Sequence, residues 1–67
     1  MQMKILIWQA RSAKGISLRK LAAWTGISKS ALHKMENGRE IPNLMHIELI
    51  AKALSVPMSS LYDSEYK

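Results

Sequence analysis

Residues 17–37 read SLRKLAAWTGISKSALHKMEN, and this stretch decides the fold. Two short amphipathic segments flank the tripeptide Gly26-Ile27-Ser28. Gly26 permits a tight reversal, because glycine adopts a positive φ without a steric penalty. Ile27 can fill the gap between the two segments, and Ser28 can cap the second one. The stretch therefore predicts two short helices joined by a tight turn, although such pairs also occur in ordinary helical bundles.

Glycines and prolines divide the rest of the chain in the same way. Gly15 and Gly38 follow segments with helical apolar spacing, and Pro42 and Pro57 occupy the remaining joints. The pattern predicts a compact all-α domain of five short helices. The residues expected to face inward are Met3, Ile7 and Ala10; Leu18, Leu21, Ala22 and Thr25; Ala31, Leu32 and Met35; Leu44, Ile47, Ile50, Ala51 and Leu54; and Met58, Leu61 and Tyr62, with Met45 as a gap-filler.

One segment near the start of the chain is open to a second interpretation. The run at residues 3–8 is rich in isoleucine and is compatible with a short strand. We favour a helix, since the sequence shows no partner strand nearby. Residues 1–67 are expected to form a single domain, with residues 63–67 as a short, loosely packed tail.

Composition excludes several classes of function. The chain has no cysteine, which excludes disulfides and thiolate metal sites, and its two histidines lack ligand spacing, so we expect no metal and no cofactor. No apolar run approaches the ~18 residues of a membrane span, and no signal peptide is recognisable, so a cytoplasmic protein is expected. The basic half has no paired carboxylate site, no Ser–His–Asp order falls in helical phase, and no Gly-rich loop could cradle a phosphate, so we expect no enzymatic activity.

The charge is unevenly distributed along the chain. The formal net charge is +5 and the pI about 9.9. Residues 1–39 contain eight Lys or Arg and one acidic residue, whereas residues 40–67 contain two Lys and four acidic residues. This asymmetry indicates one surface suited to a polyanion, although charge alone is also compatible with a merely soluble basic protein.

The second helix of the pair, at about residues 29–37, has an outward face of hydrogen-bond donors. With its apolar residues inward, the exposed side chains are Lys29, Ser30, His33, Lys34 and Asn37. This is the layout of a helix-turn-helix, whose second helix enters the DNA major groove. Lys29, Ser30, His33 and Lys34 are the candidate base contacts, because lysine suits guanine and serine pairs with several bases. A solvated polar face is the alternative, and for His33 alone it is nearly as good.

Residues around this face are candidates for phosphate contacts. The hydroxyls of Ser17 and Ser28 lie at two helix starts, where anions are attracted. The cations that flank the face are Lys14, Arg19, Lys20 and Arg39. Their contacts with phosphates would be sensitive to salt.

Arg11 and Glu36 form a possible pair inside the domain. Arg11 lies one turn after Ile7, and Glu36 lies one turn after Leu32, so each charge borders an inward stripe. Either charge buried alone would be costly, and together they can pair across the core. Two unrelated exposed charges are the alternative.

Together these motifs resemble the phage-repressor or Cro-type helix-turn-helix family, the lambda-repressor-like DNA-binding domains. The resemblance covers about residues 3–62, and its most specific element is Glu36-Asn37-Gly38 followed by Pro42, in phase with Gly26. The other residues that carry it are Arg11, Lys14 to Ser17, Leu21-Ala22, Thr25 to Ser30, Met35, Arg39 and Ile50 to Leu54.

The resemblance has implications for fold and site. It implies five helices, a buried Arg11–Glu36 ion pair, base contacts near Lys29, Ser30, His33 and Lys34, and phosphate contacts near Asn37 and Arg39. The chain departs from the family at Leu18 and Arg19, where many relatives have Gln and an acid, and at Pro57, where a Ser or Thr cap is usual.

The predicted function is a sequence-specific regulator of transcription that binds double-stranded DNA. We favour a repressor over an activator. The alternative is an antitoxin-type or other protein-interaction module on the same fold, with a small protein as its partner. We expect a homodimer on DNA, because one recognition helix reads too few base pairs. Its contact is expected at Met58, Leu61 and Tyr62 or at Ile5 and Trp8; the apolar residues Ile5, Leu6, Trp8 and Trp24 could instead pack within the domain.

Overall fold

The computed structural model describes residues 3–67, and α-helices dominate this part of the chain. In chain order the elements are β1 (Lys4–Ile5), α1 (Ile7–Ala13), α2 (Leu18–Thr25), α3 (Lys29–Glu36), α4 (Leu44–Leu54), a 3-10 helix (Met58–Leu61) and β2 (Tyr62–Asp63). The helices α2 and α3 pack on each other, and α4 packs across α2. The α2–α3 pair is thus supported from behind by α1 and α4.

Four α-helices are present among the described residues, rather than the five predicted. The fifth segment is a single 3-10 turn of four residues that begins after Pro57. No side chain caps its start, which leaves it without one of the interactions that extend a helix. The chain then returns to an extended conformation at Tyr62.

The preference for helix at residues 3–8 is wrong in its first half. Lys4–Ile5 forms a strand, and helix α1 starts only at Ile7. The strand pairs antiparallel with Tyr62–Asp63, with Lys4 opposite Asp63 and Ile5 opposite Tyr62. The pairing therefore includes the first residue of the predicted tail. Its partner comes from the opposite end of the chain, so no local pattern could indicate it.

The core is built from apolar side chains of every helix. Its buried members are Ile7, Leu21, Ile27, Leu32, Met35, Ile47, Ile50, Ala51, Leu54 and Leu61. Three predictions of burial are wrong: Met3 is 55 % exposed, Leu44 is 77 % exposed and Met45 is 68 % exposed. Met3 precedes the strand β1, and Leu44 and Met45 lie in the first turn of α4, whereas Ile47 and Ile50 of the same helix are buried.

Polar side chains cap three of the helices at their starts. The backbone N–H of Lys20 donates to Ser17 Oγ at 3.1 Å, and that of Ala31 donates to Ser28 Oγ at 3.0 Å. At α4, the N–H of His46 donates to Asn43 Oδ1 at 2.8 Å, and the N–H of Asn43 donates back to His46 Nδ1 at 3.2 Å. These bonds satisfy amides that have no partner within a helix. The cap at Ser28 agrees with the one predicted from the sequence.

Ser55 ends α4 in a left-handed conformation that glycine usually occupies. Its φ is 56°, and its N–H donates to the carbonyls of Ala51 and Lys52. A Cβ in this conformation is strained, whereas glycine adopts it freely. We expect Ser55→Gly to stabilise the domain by about 0.5–1 kcal/mol, measured as a rise in thermal midpoint of a few degrees. A lower midpoint than that of the wild type would contradict the assignment of strain to Ser55.

The helices were also compared with the length and apolar character of a membrane span. No helix within residues 3–67 combines the length and the apolar character needed to cross a bilayer.

Candidate nucleic-acid interface

The turn between α2 and α3 is held by the side chain of Thr25. Its hydroxyl donates to the carbonyl of Leu21 at 2.8 Å and accepts from the N–H of Ile27 at 3.1 Å. Gly26 between them has a φ of 76°, and Ile27 is 9 % exposed and joins the core. The sequence predicted the roles of Gly26 and Ile27. The polar bridge by Thr25 was missed, because its helical spacing indicated only an inward position.

Helix α3 separates its residues cleanly into two faces. Leu32 and Met35 are fully buried, whereas Lys29, Ser30, His33 and Lys34 are exposed. The four candidate base contacts thus lie on one solvent-facing side of a helix whose opposite side is fixed in the core. The helix ends at Glu36, so Asn37 is its C-cap residue, and Asn37 is also exposed.

The six candidate phosphate contacts are all exposed as well. They are Ser17, Arg19, Lys20, Ser28, Asn37 and Arg39. Both serine hydroxyls accept a bond from a backbone amide, and their own protons have no acceptor within residues 3–67. Each hydroxyl is therefore free to donate to a phosphate oxygen while it caps its helix.

The starts of α2 and α3 lie side by side. A shallow cleft is lined by Ser17, Leu18 and Arg19 from one helix start and by Lys29 from the other. No acidic residue occupies the first turn of either helix. Two cations therefore border one cleft at two positive helix ends, which is an arrangement that attracts anions.

The loop after α3 is anchored to the last turn of that helix. The carbonyl of Lys34 accepts from the N–H of Arg39 at 2.8 Å and from that of Glu40 at 3.2 Å. Gly38 makes this return possible with a φ of 81°. Arg39 is thereby held next to the exposed face of α3, where a cation can extend the basic surface.

Behind the exposed face, Arg11 and Glu36 form a two-bond ion pair. Arg11 Nε donates to Glu36 Oε2 at 2.8 Å, and Arg11 Nη2 donates to Oε1 at 3.0 Å. The side chains are only 14 % and 7 % exposed. Arg11 Nη1 also donates to the carbonyl of Ile16 at 3.0 Å, so one guanidinium connects α1, α3 and the loop before α2.

This arrangement keeps Arg11 charged. The hydrogen bonding that Arg11 donates to Glu36 raises the pKa of Arg11 and outweighs the opposing effect of burial, and the negative charge of Glu36 adds to the rise. The ion pair therefore holds the inner side of α3 against α1.

These features agree with what comparison with known proteins finds. Residues 9–61 match the model of a helix-turn-helix family. The chain belongs to the phage-repressor or Cro-type helix-turn-helix family. Its α2 and α3 are the helix-turn-helix pair, as the sequence predicted. No comparison tests the individual base and phosphate contacts, and they stay predictions.

Two relatives show how far the likeness extends. The chain is 36 % identical over 56 residues to the HTH-type transcriptional regulator SlrR of Bacillus subtilis (strain 168). The match covers 82 % of this chain and 37 % of SlrR, so the chain spans well under half the length of that relative. The crystal structure of the restriction-modification controller protein C.AhdI from Aeromonas hydrophila superposes with a TM-score of 0.77 and 30 % identity, covering 81 % of this chain and 82 % of that one.

Several residues that the sequence suggested for a dimer contact are less exposed to solvent than expected. Leu61 is fully buried, so its assignment as a contact is wrong, and Ile5 and Met58 pack against the core. Leu61 lies under the strand pair, where its carbonyl accepts from the N–H of Leu6 at 2.8 Å. Packing within the domain therefore accounts for Ile5, whereas Trp8 stays 54 % exposed and Trp24 stays 53 % exposed.

Proposed function

We propose that this chain is a sequence-specific regulator of transcription that binds double-stranded DNA and represses by occupying a promoter or operator. The observation that carries the proposal is the charge of the α2–α3 unit. Glu36 is the one acidic residue within residues 17–39, and it is held inward by Arg11. The outward surface of this unit therefore presents cations and neutral donors to a polyanion.

In the proposed mechanism, one set of residues contacts the bases and a second set contacts the phosphates. Lys29, Ser30, His33 and Lys34 lie on α3, which enters the major groove and meets base edges. The residues that fix the position of the domain through phosphates are Ser17, Arg19, Lys20, Ser28, Asn37 and Arg39. The Arg11–Glu36 pair keeps α3 in place from behind.

The named relatives support the regulatory role. SlrR is a transcriptional regulator, and C.AhdI is a restriction-modification controller protein. Both names favour a regulator over the interaction-module alternative. We also propose a homodimer on two half-sites, since one recognition helix covers only a few base pairs and a symmetric pair doubles the sequence that is read.

Selection of bound duplexes from a random DNA pool tests this function. We expect enrichment of one motif with two related halves, about one helical turn apart. Binding without enrichment would contradict sequence-specific recognition, and no binding to duplex DNA would contradict the function as a whole.

Two substitutions distinguish a residue that contacts bases from a residue that contacts phosphates. We expect Lys29→Ala to change the preferred base at one position of the site, because Lys29 lies in the first turn of α3 and a lost base contact costs about 1–3 kcal/mol there. We expect Arg39→Ala to weaken binding to all duplexes alike. The measurement is affinity for a panel of single-base variants of the selected site.

Lys52→Ala is the matched control for both variants, because Lys52 is an exposed lysine in the last turn of α4 and is not among the candidate DNA contacts. It should leave affinity and preference unchanged. Uniform loss of affinity in both Lys29→Ala and Arg39→Ala would contradict the division of roles.

A further inference from the structure

One partly buried leucine interrupts the polar surface at the starts of α2 and α3. The cleft between these two helix starts has a volume of about 360 Å³ and is lined by Ser17, Leu18, Arg19 and Lys29. Ser17, Arg19 and Lys29 are exposed and carry a hydroxyl group or a positive charge, whereas Leu18 is apolar. The cleft therefore combines one apolar wall with polar, positively charged edges.

Leu18 is held in a fixed position by both its helix and the core. It is the first residue of α2, directly after the N-cap residue Ser17, whose Oγ accepts from the N–H of Lys20 at 3.1 Å. Leu18 packs against the hydrophobic core and also borders the cleft. A side chain that is anchored in this way loses little conformational entropy when a bound molecule covers it.

Packing against the core accounts for only part of the Leu18 side chain. Leu21, three residues later on the same helix, is 0 % exposed, whereas Leu18 keeps part of its surface in the cleft. Covering this apolar surface with another apolar group is favourable, in proportion to the area removed from water. The cleft therefore favours a molecule that carries an apolar group next to an anionic one.

Duplex DNA carries one prominent apolar group on the edges of its bases. It is the C5-methyl group of thymine, which projects into the major groove. The methyl group stands beside the sugar-phosphate backbone of its own strand, so a surface that contacts it also meets phosphate. The cleft offers both kinds of contact, with Leu18 for the methyl group and with Ser17 and Arg19 for the phosphate.

The position of Lys29 locates this methyl group within the bound site. Lys29 is the first residue of α3, and it lines the same cleft as Leu18. In the proposed function Lys29 contacts a base edge, for which the N7 and O6 atoms of guanine are suitable acceptors. A group that Leu18 contacts must then lie in the same base pair or in an adjacent one.

We infer that Leu18 is a specificity-determining residue, which contacts the C5-methyl group of a thymine within one base pair of the base that Lys29 contacts. The inference rests on the proposed DNA binding and adds an apolar contact to a surface of hydrogen-bond donors. Leu18 recognises the methyl group by covering it and forms no hydrogen bond with the base.

Replacement of thymine by 2′-deoxyuridine tests the inference, because deoxyuridine lacks only the methyl group and pairs with adenine in the same way. Each thymine of the half-site selected by the wild-type protein is replaced in turn, and the affinity for each duplex is measured. One replacement, within one base pair of the position at which Lys29→Ala changes the preferred base, should lower wild-type affinity about four-fold, the factor expected for one methyl-sized apolar group.

Variants of Leu18 connect this effect with the side chain. Leu18→Ala withdraws the apolar contact, so it should bind the thymine and deoxyuridine duplexes equally at that position. Leu18→Met keeps an apolar side chain of similar volume and should retain most of the preference. Leu49→Ala is the matched control, because Leu49 is an exposed leucine of α4 outside the cleft, and it should retain the full preference. Each preference is a ratio of two affinities of one variant, so a change in stability does not alter it.

Methylation of cytosine gives an independent readout. A duplex with cytosine at the same position lacks the methyl group, and 5-methylcytosine restores it without changing the base pair. Methylation should raise the affinity of the wild type about four-fold and leave that of Leu18→Ala unchanged.

Four outcomes would overturn the inference. Equal wild-type affinity for thymine and deoxyuridine throughout that range, or a selected half-site without thymine there, would show that no methyl group is contacted. A preference that persists in Leu18→Ala would assign the contact to another residue. Loss of folding in both Leu18→Ala and Leu18→Met would assign Leu18 to the core alone. Failure of the wild type to bind any duplex would instead contradict the proposed function.

Discussion

Replacing Glu36 by alanine is expected to lower the free energy of unfolding by about 3–5 kcal/mol, which is comparable to the whole stability of a small domain. The substitution would leave Arg11, whose side chain is only 14 % exposed in the intact pair, without the carboxylate to which it donates two hydrogen bonds. One bond, to the carbonyl of Ile16, would remain. The measurement is denaturation by urea or heat, followed by circular dichroism.

Two further variants show whether the unpaired charge is the cause. Glu48→Ala removes an exposed carboxylate that forms no ion pair among residues 3–67, and it should change stability little. The double variant Arg11→Met/Glu36→Leu removes both charges, and it should recover most of the stability lost in Glu36→Ala. Equal midpoints for Glu36→Ala and Glu48→Ala would contradict the role of the ion pair.

Affinity for duplex DNA is expected to fall about 10³-fold when monovalent salt rises from about 50 to about 200 mM. The cations responsible are Lys14, Arg19, Lys20, Lys29, Lys34 and Arg39, all of them exposed. Each phosphate contact contributes about −0.9 to the slope of log K against log salt, because each contact releases condensed counterions. Lys29 and Lys34, although assigned to bases, also displace counterions when they enter the groove, so six cations per copy give a slope of roughly −5. Titrations at four or five salt concentrations measure it.

Single substitutions assign this slope to the surface around α3. Lys20→Ala should reduce the steepness of the slope by about one contact, whereas Lys52→Ala on α4 should leave it unchanged. A flat salt response in the wild type would contradict a DNA-facing surface. Equal changes in the two variants would mean that net charge alone, rather than the α2–α3 surface, determines the affinity.

Most of the candidate site could be predicted from local patterns. The turn at Gly26, the caps at Ser17 and Ser28, and the outward position of Lys29 depend on glycine conformation, on amides without helical partners and on the helical period. These causes act within one or two turns of chain. The bridge by Thr25 is also local, but its two hydrogen bonds depend on the geometry of the turn rather than on residue spacing.

The Arg11–Glu36 ion pair could be predicted only in part from local sequence patterns. The sequence indicated that Arg11 and Glu36 each border an inward stripe, but it left a pair and two exposed charges as alternatives. The choice is made by the packing of α1 against α3, which brings the guanidinium within 2.8 Å of the carboxylate. The third bond, to Ile16, depends on the path of the loop before α2.

The sequence by itself thus determined the helix-turn-helix, its family and the exposed donor face of α3, because these follow from short-range periodicity and turn chemistry. Only the tertiary structure decided that Lys4–Ile5 is a strand, since its partner Tyr62–Asp63 lies at the far end of the chain. It also decided that Leu61 is buried and Leu44 exposed. Both are apolar residues near the ends of helical segments, and their burial depends on which distant elements pack against them rather than on their own neighbours.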